Sequence, residues 1–144
     1  MSSEPHSPKK RHPGLQPFSR DHHHGLVQVQ LLRKACKGEE AIRQQAADDF
    51  AKAWHQDIKT HFDEEEQYLL SFMTEEHKER ILHDHKTIRE LAQLIQTQST
   101  PETLLALSDT LKSHIKWEEN ELFPALEKSM NEEDLKQLEE CINR

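Results

Sequence analysis

The sequence predicts an all-α protein: an antiparallel up-down four-helix bundle with a disordered N-terminal tail and a short C-terminal helix. Hydrophobic residues make up only 33% of the 144-residue chain and charged residues 32%, a balance typical of helices with one narrow apolar face. Glycine occurs only 3 times, and runs of strand-type residues are few. Apolar residues recur every three or four positions over long stretches, which is the period of an α-helix.

The composition also limits the class of protein. The length fits one domain, and a formal net charge of −8 argues against a surface for nucleic acid or for an anionic membrane. Cys36 and Cys141 have no paired spacing, so we expect neither a disulfide framework nor a thiolate zinc site. No apolar run is long enough to cross a membrane, and the N-terminus has no signal-peptide pattern. We therefore expect a soluble, cytoplasmic protein, whose 11 histidines are its compositional anomaly.

Residues 1–17 are predicted to form a flexible tail, or an arm laid over the domain, because they hold four of the six prolines and little that can pack. Residues 18–144 are predicted to form the helical domain. Ser19 is the expected N-cap of the first helix, which should end near Gly38. The predicted inward face of this helix consists of Phe18, His22, Leu26, Val29, Leu32 and Cys36.

The second helix is predicted from about Glu39 to Phe72. A histidine and a glutamate occupy two consecutive places on its otherwise apolar face. Burying both without partners would cost several kcal/mol, so the two residues either face each other or bind something. The predicted inward face consists of Phe50, Trp54, Ile58, His61, Glu65, Leu69 and Phe72.

Three further helix starts carry good capping residues. Thr74 and Thr100 are expected to begin the third and fourth helices, and Asn131 a short last one. Because Pro124 lies inside the fourth helix, we expect a kink or an early end near Phe123. The inward residues are Ile81, His85, Ile88, Ala92 and Ile95 on the third helix, and Leu104, Leu107, Leu111, His114, Glu118, Leu122 and Ala125 on the fourth.

A repeated pattern links the second and fourth helices. Residues 61–70 and 114–123 both read His-x-x-x-Glu-Glu-x-x-Leu followed by an apolar residue. Positions i and i+4 lie on one face of a helix, so each stretch directs an imidazole and a carboxylate the same way. The two pairs are His61 with Glu65 and His114 with Glu118.

Four inward histidines are predicted to lie at one depth in the bundle. In an antiparallel bundle, two residues at the same level are equidistant from the turn between their helices. The midpoint of His61 and His85 falls at the turn before the third helix, and that of His85 and His114 at the turn before the fourth. The midpoint of His22 and His61 falls within one helical turn of the break between the first two helices.

The predicted metal ligands are thus four imidazoles and two carboxylates without a thiolate, a set that suits iron, manganese or zinc. Six ligands exceed what one tetrahedral zinc ion takes, so Glu65 and Glu118 are candidates to bridge two metal ions. Two iron ions with an oxo or hydroxo bridge fit the charge of this set, and zinc or manganese is the lesser alternative. A metal-free bundle with a buried polar network is the remaining alternative. The six candidates are His22, His61, Glu65, His85, His114 and Glu118.

The sequence resembles the hemerythrin-like, or HHE cation-binding, family in four pieces that span residues 18–125. The family is an up-down four-helix bundle around a non-haem di-iron centre, and the resemblance implies the same six ligands. Oxygen-carrying hemerythrins have a further histidine one turn before the third-helix ligand, where this chain has Ile81. That coordination position is then left open, filled by water, or filled by a substitute such as His23 or Glu64. The four pieces are Ser19-Arg20-Asp21-His22, His61…Glu65-Glu66, Asp84-His85…Ile88 and His114…Glu118-Glu119…Leu122-Phe123-Pro124.

Two functions follow as hypotheses. The first is a non-haem di-iron protein that binds O₂ or NO for sensing, storage or iron handling. The second is a redox enzyme: a di-iron oxidase or peroxidase, or a protein that repairs iron–sulfur clusters. We expect binding rather than catalysis, because the order His-x-x-x-Glu differs from the Glu-x-x-His of ferritin-like oxidases and no catalytic base is evident. Ile81 argues against simple reversible oxygen carriage.

Overall fold

A computed structural model of the chain describes residues 11–142, which contain helices and turns but no strand. The predicted all-α bundle with a short C-terminal helix is confirmed. Within these residues, no helix combines the length and the low polarity that crossing a membrane requires. The helices are α1 (Gln16–Ala35), α2 (Glu40–Ala53), α3 (Lys59–Tyr68), α4 (Glu75–Leu94), α5 (Pro101–Trp117), α6 (Phe123–Ser129) and α7 (Glu132–Cys141).

Two π-helical turns connect these helices into longer ones. Trp54–Ile58 joins α2 to α3, and Glu118–Leu122 joins α5 to α6. The second turn lies where an interruption was expected, and Pro124 falls in the first turn of α6. Proline lacks an N–H and its ring crowds the preceding turn, which disfavours the regular α-helical pattern there. The bundle therefore has four long members: α1, α2 with α3, α4, and α5 with α6.

The predicted helix starts are confirmed for the later helices. Thr74, Thr100 and Asn131 each accept a hydrogen bond from the backbone N–H three residues further on, which satisfies an otherwise unpaired donor. The prediction for the first helix is wrong. Ser19 lies inside α1, which begins at Gln16, and proline at the next position suits a first turn because its missing N–H has no acceptor there anyway.

Part of the predicted tail lies against the folded domain. Residues 1–10 are outside the described residues. Leu15 is fully buried, and the backbone N–H of His12 donates to Glu127 Oε2 over 2.7 Å. Residues 11–17 therefore form an arm laid over the domain.

The apolar core consists of two clusters separated by a polar layer. Along α1, α4 and α5, each inward histidine lies between residues of the two clusters. This arrangement keeps water from both sides of the polar layer. We call the two clusters the upper and the lower cluster. The upper cluster includes Val29, Leu32, Phe50, Phe62, Ile88 and Leu107, and the lower cluster includes Leu15, Phe18, Ile81, Trp117, Phe123 and Leu135.

Two residues predicted to face inward are exposed. Leu26 is 42% exposed because α1 and α5 approach each other at the preceding residue: a Cβ on Gly25 would lie 2.9 Å from Ile115 Cδ1. The inward face of α1 therefore passes through Gly25. Phe72 is 37% exposed because it lies in a single 3₁₀ turn after α3, where the α-helical period no longer holds.

Candidate metal centre

The structure brings all six predicted residues together in the polar layer. All are at most 5% exposed. They form two overlapping groups of four, and within each group one ligand atom per residue lies within 4.8 Å of the others. The first ligand group is His22, His61, Glu65 and Glu118, and the second ligand group is Glu65, His85, His114 and Glu118.

Each imidazole directs its Nε2 atom at a glutamate oxygen. Each glutamate uses its two oxygens on histidines of different ligand groups, so Glu65 and Glu118 both have the orientation of a bridging carboxylate. The distances are 2.7 Å for His22 to Glu118 Oε1, 2.9 Å for His61 to Glu65 Oε2, 3.0 Å for His85 to Glu65 Oε1 and 3.1 Å for His114 to Glu118 Oε2.

Four of these facing atoms are buried without a hydrogen bond in the described part of the chain: His61 Nε2, Glu65 Oε2, His114 Nε2 and Glu118 Oε2. His61 Nε2 lies 2.9 Å from Glu65 Oε2, and His114 Nε2 lies 3.1 Å from Glu118 Oε2. The angles of these two contacts do not satisfy a hydrogen bond. Because buried polar atoms in proteins nearly always have partners, these atoms indicate a partner that the protein does not supply. A cation accepts both an imidazole nitrogen and a carboxylate oxygen, so the residues fit a metal centre.

The other ring nitrogen, Nδ1, of each imidazole contacts a further carboxylate. Such a contact favours the tautomer with the proton on Nδ1, which leaves the Nε2 lone pair for a metal. We call the four carboxylate residues that contact the Nδ1 atoms the outer carboxylates. The contacts are His22 with Glu119 at 2.7 Å, His61 with Asp21 at 3.2 Å, His85 with Glu66 at 2.6 Å and His114 with Asp84 at 2.9 Å.

Sequence reasoning did not assign a function to the outer carboxylates. A signal was nevertheless present. Each outer carboxylate directly neighbours a candidate ligand in the sequence, either as Asp-His or as Glu-Glu. The histidines of each ligand group contact one outer carboxylate of each kind. The dipeptides are Asp21-His22 and Asp84-His85, and Glu65-Glu66 and Glu118-Glu119.

Arginines contact several of the outer carboxylates from the surface side. A guanidinium in this place holds the carboxylate in its charged form and in a fixed orientation. The pairs are Arg11 with Glu119 at 3.1 Å, Arg80 with Asp84 at 2.9 Å and Arg89 with Glu66 at 3.0 Å.

Carboxylates raise the pKa values of His22, His61 and His114. Burial by itself lowers the pKa of His114, but the charge of Glu118 and the hydrogen bond to Asp84 raise it to about 10. Burial is likewise outweighed by neighbouring carboxylates at His22 and His61, whose pKa values are also raised. Burial raises the pKa of Glu118, yet the charge of His114 holds it well below its usual range. In the metal-free centre, protons on these imidazoles therefore balance the negative charge of the carboxylates, as a metal cation would.

No described side chain replaces the histidine expected at position 81. Ile81 is fully buried in the lower apolar cluster. His23 is exposed and Glu64 is half-buried, and neither belongs to the two ligand groups found among residues 11–142. The two ligand groups are therefore equivalent in composition, with two imidazoles and the same two shared carboxylates in each.

A protein-family model described as Hemerythrin HHE cation binding domain matches residues 17–126, and a second match covers residues 77–140. The chain belongs to this family. The first match contains all six candidate ligands and the four outer carboxylates. A search of curated proteins and a search of solved structures found no match to the chain. This hemerythrin-like domain thus combines a buried histidine–glutamate cluster with the chemistry of a metal centre.

Proposed function

We propose that this protein is a non-haem di-iron protein that binds dioxygen or nitric oxide for sensing, storage or iron handling. The sharing of Glu65 and Glu118 by the two ligand groups is the observation that supports it. One ion would be held by His22 and His61 and the other by His85 and His114. The proposed cofactor is two iron ions with an oxo or hydroxo bridge.

The chain prepares these ligands before a metal arrives. Each outer carboxylate fixes the orientation of one imidazole, and the two apolar clusters exclude bulk water from both sides of the polar layer. When bound, an iron pair supplies redox chemistry and affinity for small diatomic molecules. Nitrogen and oxygen ligands without a thiolate suit iron better than they suit magnesium or calcium.

A small cavity adjoins the first ligand group and favours a diatomic ligand. Its volume is about 10 Å³, which is room for roughly one water molecule. Its polar lining consists of Asp21, His22, His61 and His114, and its apolar lining includes Ile58 and Leu111. An organic substrate does not fit in this space, which favours binding of a small molecule over oxidation of a larger one.

Anaerobic loading with ferrous iron tests the proposal. The chain is desalted after loading, and we expect elemental analysis to find two irons per chain and a visible charge-transfer band to appear on exposure to oxygen. The Glu118→Gln variant serves as a matched comparison, because it keeps the side-chain size but removes a shared charge, and it should retain fewer irons. A desalted chain without iron contradicts the proposal, whereas turnover with peroxide, or iron transfer to an apo-cluster protein, would favour the redox alternative.

A further inference from the structure

Arg11, in the N-terminal arm, reaches the first ligand group by two routes. Its Nη2 donates to Glu119 Oε1 over 3.1 Å and to the Glu119 carbonyl over 3.0 Å, and its Nη1 donates to Glu127 over 3.3 Å. Its side chain is only 9% exposed, and its guanidinium carbon lies 5.6 Å from the centre of the Phe123 ring. Phe123 in turn stacks on His22, with 5.6 Å between ring centroids and 3° between planes.

Glu119 connects Arg11 directly to a candidate ligand. Its Oε2 contacts His22 Nδ1 at 2.7 Å, while its Oε1 accepts from Arg11. The carboxylate is thus held from both sides, and its position decides which way the imidazole is turned. Without the guanidinium, one oxygen of this half-buried carboxylate loses its charged donor, and the carboxylate is less constrained against the imidazole.

Arg89 has the corresponding place in the second ligand group. It donates to Glu66 over 3.0 Å, and the same glutamate oxygen contacts His85 Nδ1 at 2.6 Å. The two arginines differ in exposure, since the side chain of Arg89 is 36% exposed and that of Arg11 is 9%. Water screens an exposed pair more than a buried one, so the influence of Arg11 on its imidazole is the larger.

We infer that Arg11 is a positioning residue for the metal ion of the first ligand group and acts through Glu119 on His22. This inference rests on the proposed function. It makes the N-terminal arm part of the metal site, although the described part of the arm before α1 supplies none of the six ligands. The ion of the second ligand group is positioned separately, through Arg89 and Glu66.

Iron release to a chelator measures this effect on the whole chain. Loss of a partner behind a metal-binding histidine typically weakens metal binding roughly 10–100-fold, so Arg11→Ala should release one of its two irons roughly 10-fold faster or more. Arg11→Lys keeps the charge but not the planar fork, and it should restore the slow release only in part. Mössbauer spectra should show a change at one iron in Arg11→Ala and at the other iron in Arg89→Ala.

Double variants show whether Arg11 acts through Glu119. Combined with Glu119→Gln, Arg11→Ala should add little, because both changes interrupt one route. Combined with Glu66→Gln, both irons should be released faster, each by the factor seen in its own single variant. Circular dichroism checks folding, and Arg11→Gln takes the place of Arg11→Ala if that chain does not fold. An Arg11 variant that holds two irons and releases both at the unmodified rate contradicts the inference, as does a multiplied effect with Glu119→Gln. An unmodified chain without iron contradicts the proposed function instead.

Discussion

At the scale of single residues, each inward histidine lies between two carboxylates with different tasks. Its Nε2 faces a shared glutamate and its Nδ1 faces an outer carboxylate. The sequence predicted the inward groups because a histidine and a glutamate interrupt an apolar face, and buried polar groups need a partner. It could not predict the outer carboxylates in the same way. The chain has 27 acidic residues. The sequence alone does not distinguish a carboxylate that contacts a buried histidine from the edge of a helix from one that faces solvent.

The outer carboxylate Asp84 gives a prediction at this scale. It contacts His114 Nδ1 at 2.9 Å and accepts from Arg80 over 2.9 Å. Asp84→Asn keeps the shape but removes the charge behind the imidazole, so the affinity for iron should fall roughly 10–100-fold in a chelator competition. Asp109→Asn is the matched control, since this exposed carboxylate pairs with Arg33 on the surface. Equal affinities in Asp84→Asn and the unmodified chain would refute the role of Asp84.

At the scale of helices, π-helical turns lie next to candidate ligands on both long helices that carry the repeated pattern. One turn ends at Ile58, three residues before His61, and the other begins at Glu118 itself. Each turn inserts an extra residue into the helical period and so resets the face that follows. The second turn was foreseeable from Pro124, two residues beyond it. The first, Trp54–Ile58, contains neither proline nor glycine, and a regular apolar period gave no sign of it.

The N-terminal arm gives the prediction at the element scale. A Cβ on Gly14 would lie 2.5 Å from the backbone oxygen of Leu135 in α7, and a backbone atom cannot move aside as a side chain does. Gly14→Ala should therefore displace the arm, lower the free energy of unfolding by about 1–3 kcal/mol and carry Arg11 away from its carboxylates, which speeds iron release. Thermal melts and chelator assays measure the two effects.

Gly38→Ala is the control for this change, because the atoms nearest to its Cβ would be the side chain of Ile42 and the Ala35 carbonyl, which do not belong to the polar layer. Iron release from Gly38→Ala should match the unmodified chain. If Gly14→Ala also releases iron at that rate despite a lower melting temperature, the arm has a structural role alone.

At the scale of the whole molecule, the polar layer lies between two apolar clusters, and its depth was predictable. Short turns between antiparallel helices fix which residues share a level, so the positions of His61, His85 and His114 relative to those turns placed them together. The arm was not predictable in the same way. Its prolines and polar residues are typical of a tail, and only the tertiary contacts of Arg11 and Leu15 place residues 11–17 on the domain.

Protonation of the centre gives the prediction at this scale. A pKa raised from 6.5 to about 10 means that His114 in the folded, metal-free chain holds a proton at pH 7 that the unfolded chain has largely lost. This contribution to stability is complete below about pH 6.5 and is lost as the pH rises towards 10. Iron needs the deprotonated imidazole, so loading at pH 7 should release protons, and the affinity should rise with pH. Calorimetry in buffers of different ionisation enthalpy measures this release, and a binding heat independent of the buffer would refute it.

The central claim is that two metal ions share Glu65 and Glu118 within one chain. X-ray absorption at the iron edge of the loaded protein tests this most directly, because it reports the neighbours of each iron. We predict nitrogen and oxygen neighbours without sulfur, together with an iron–iron scattering path of roughly 3.5–4 Å or less, as in other two-metal sites. Iron with light-atom neighbours alone and no second iron within that distance would contradict the claim.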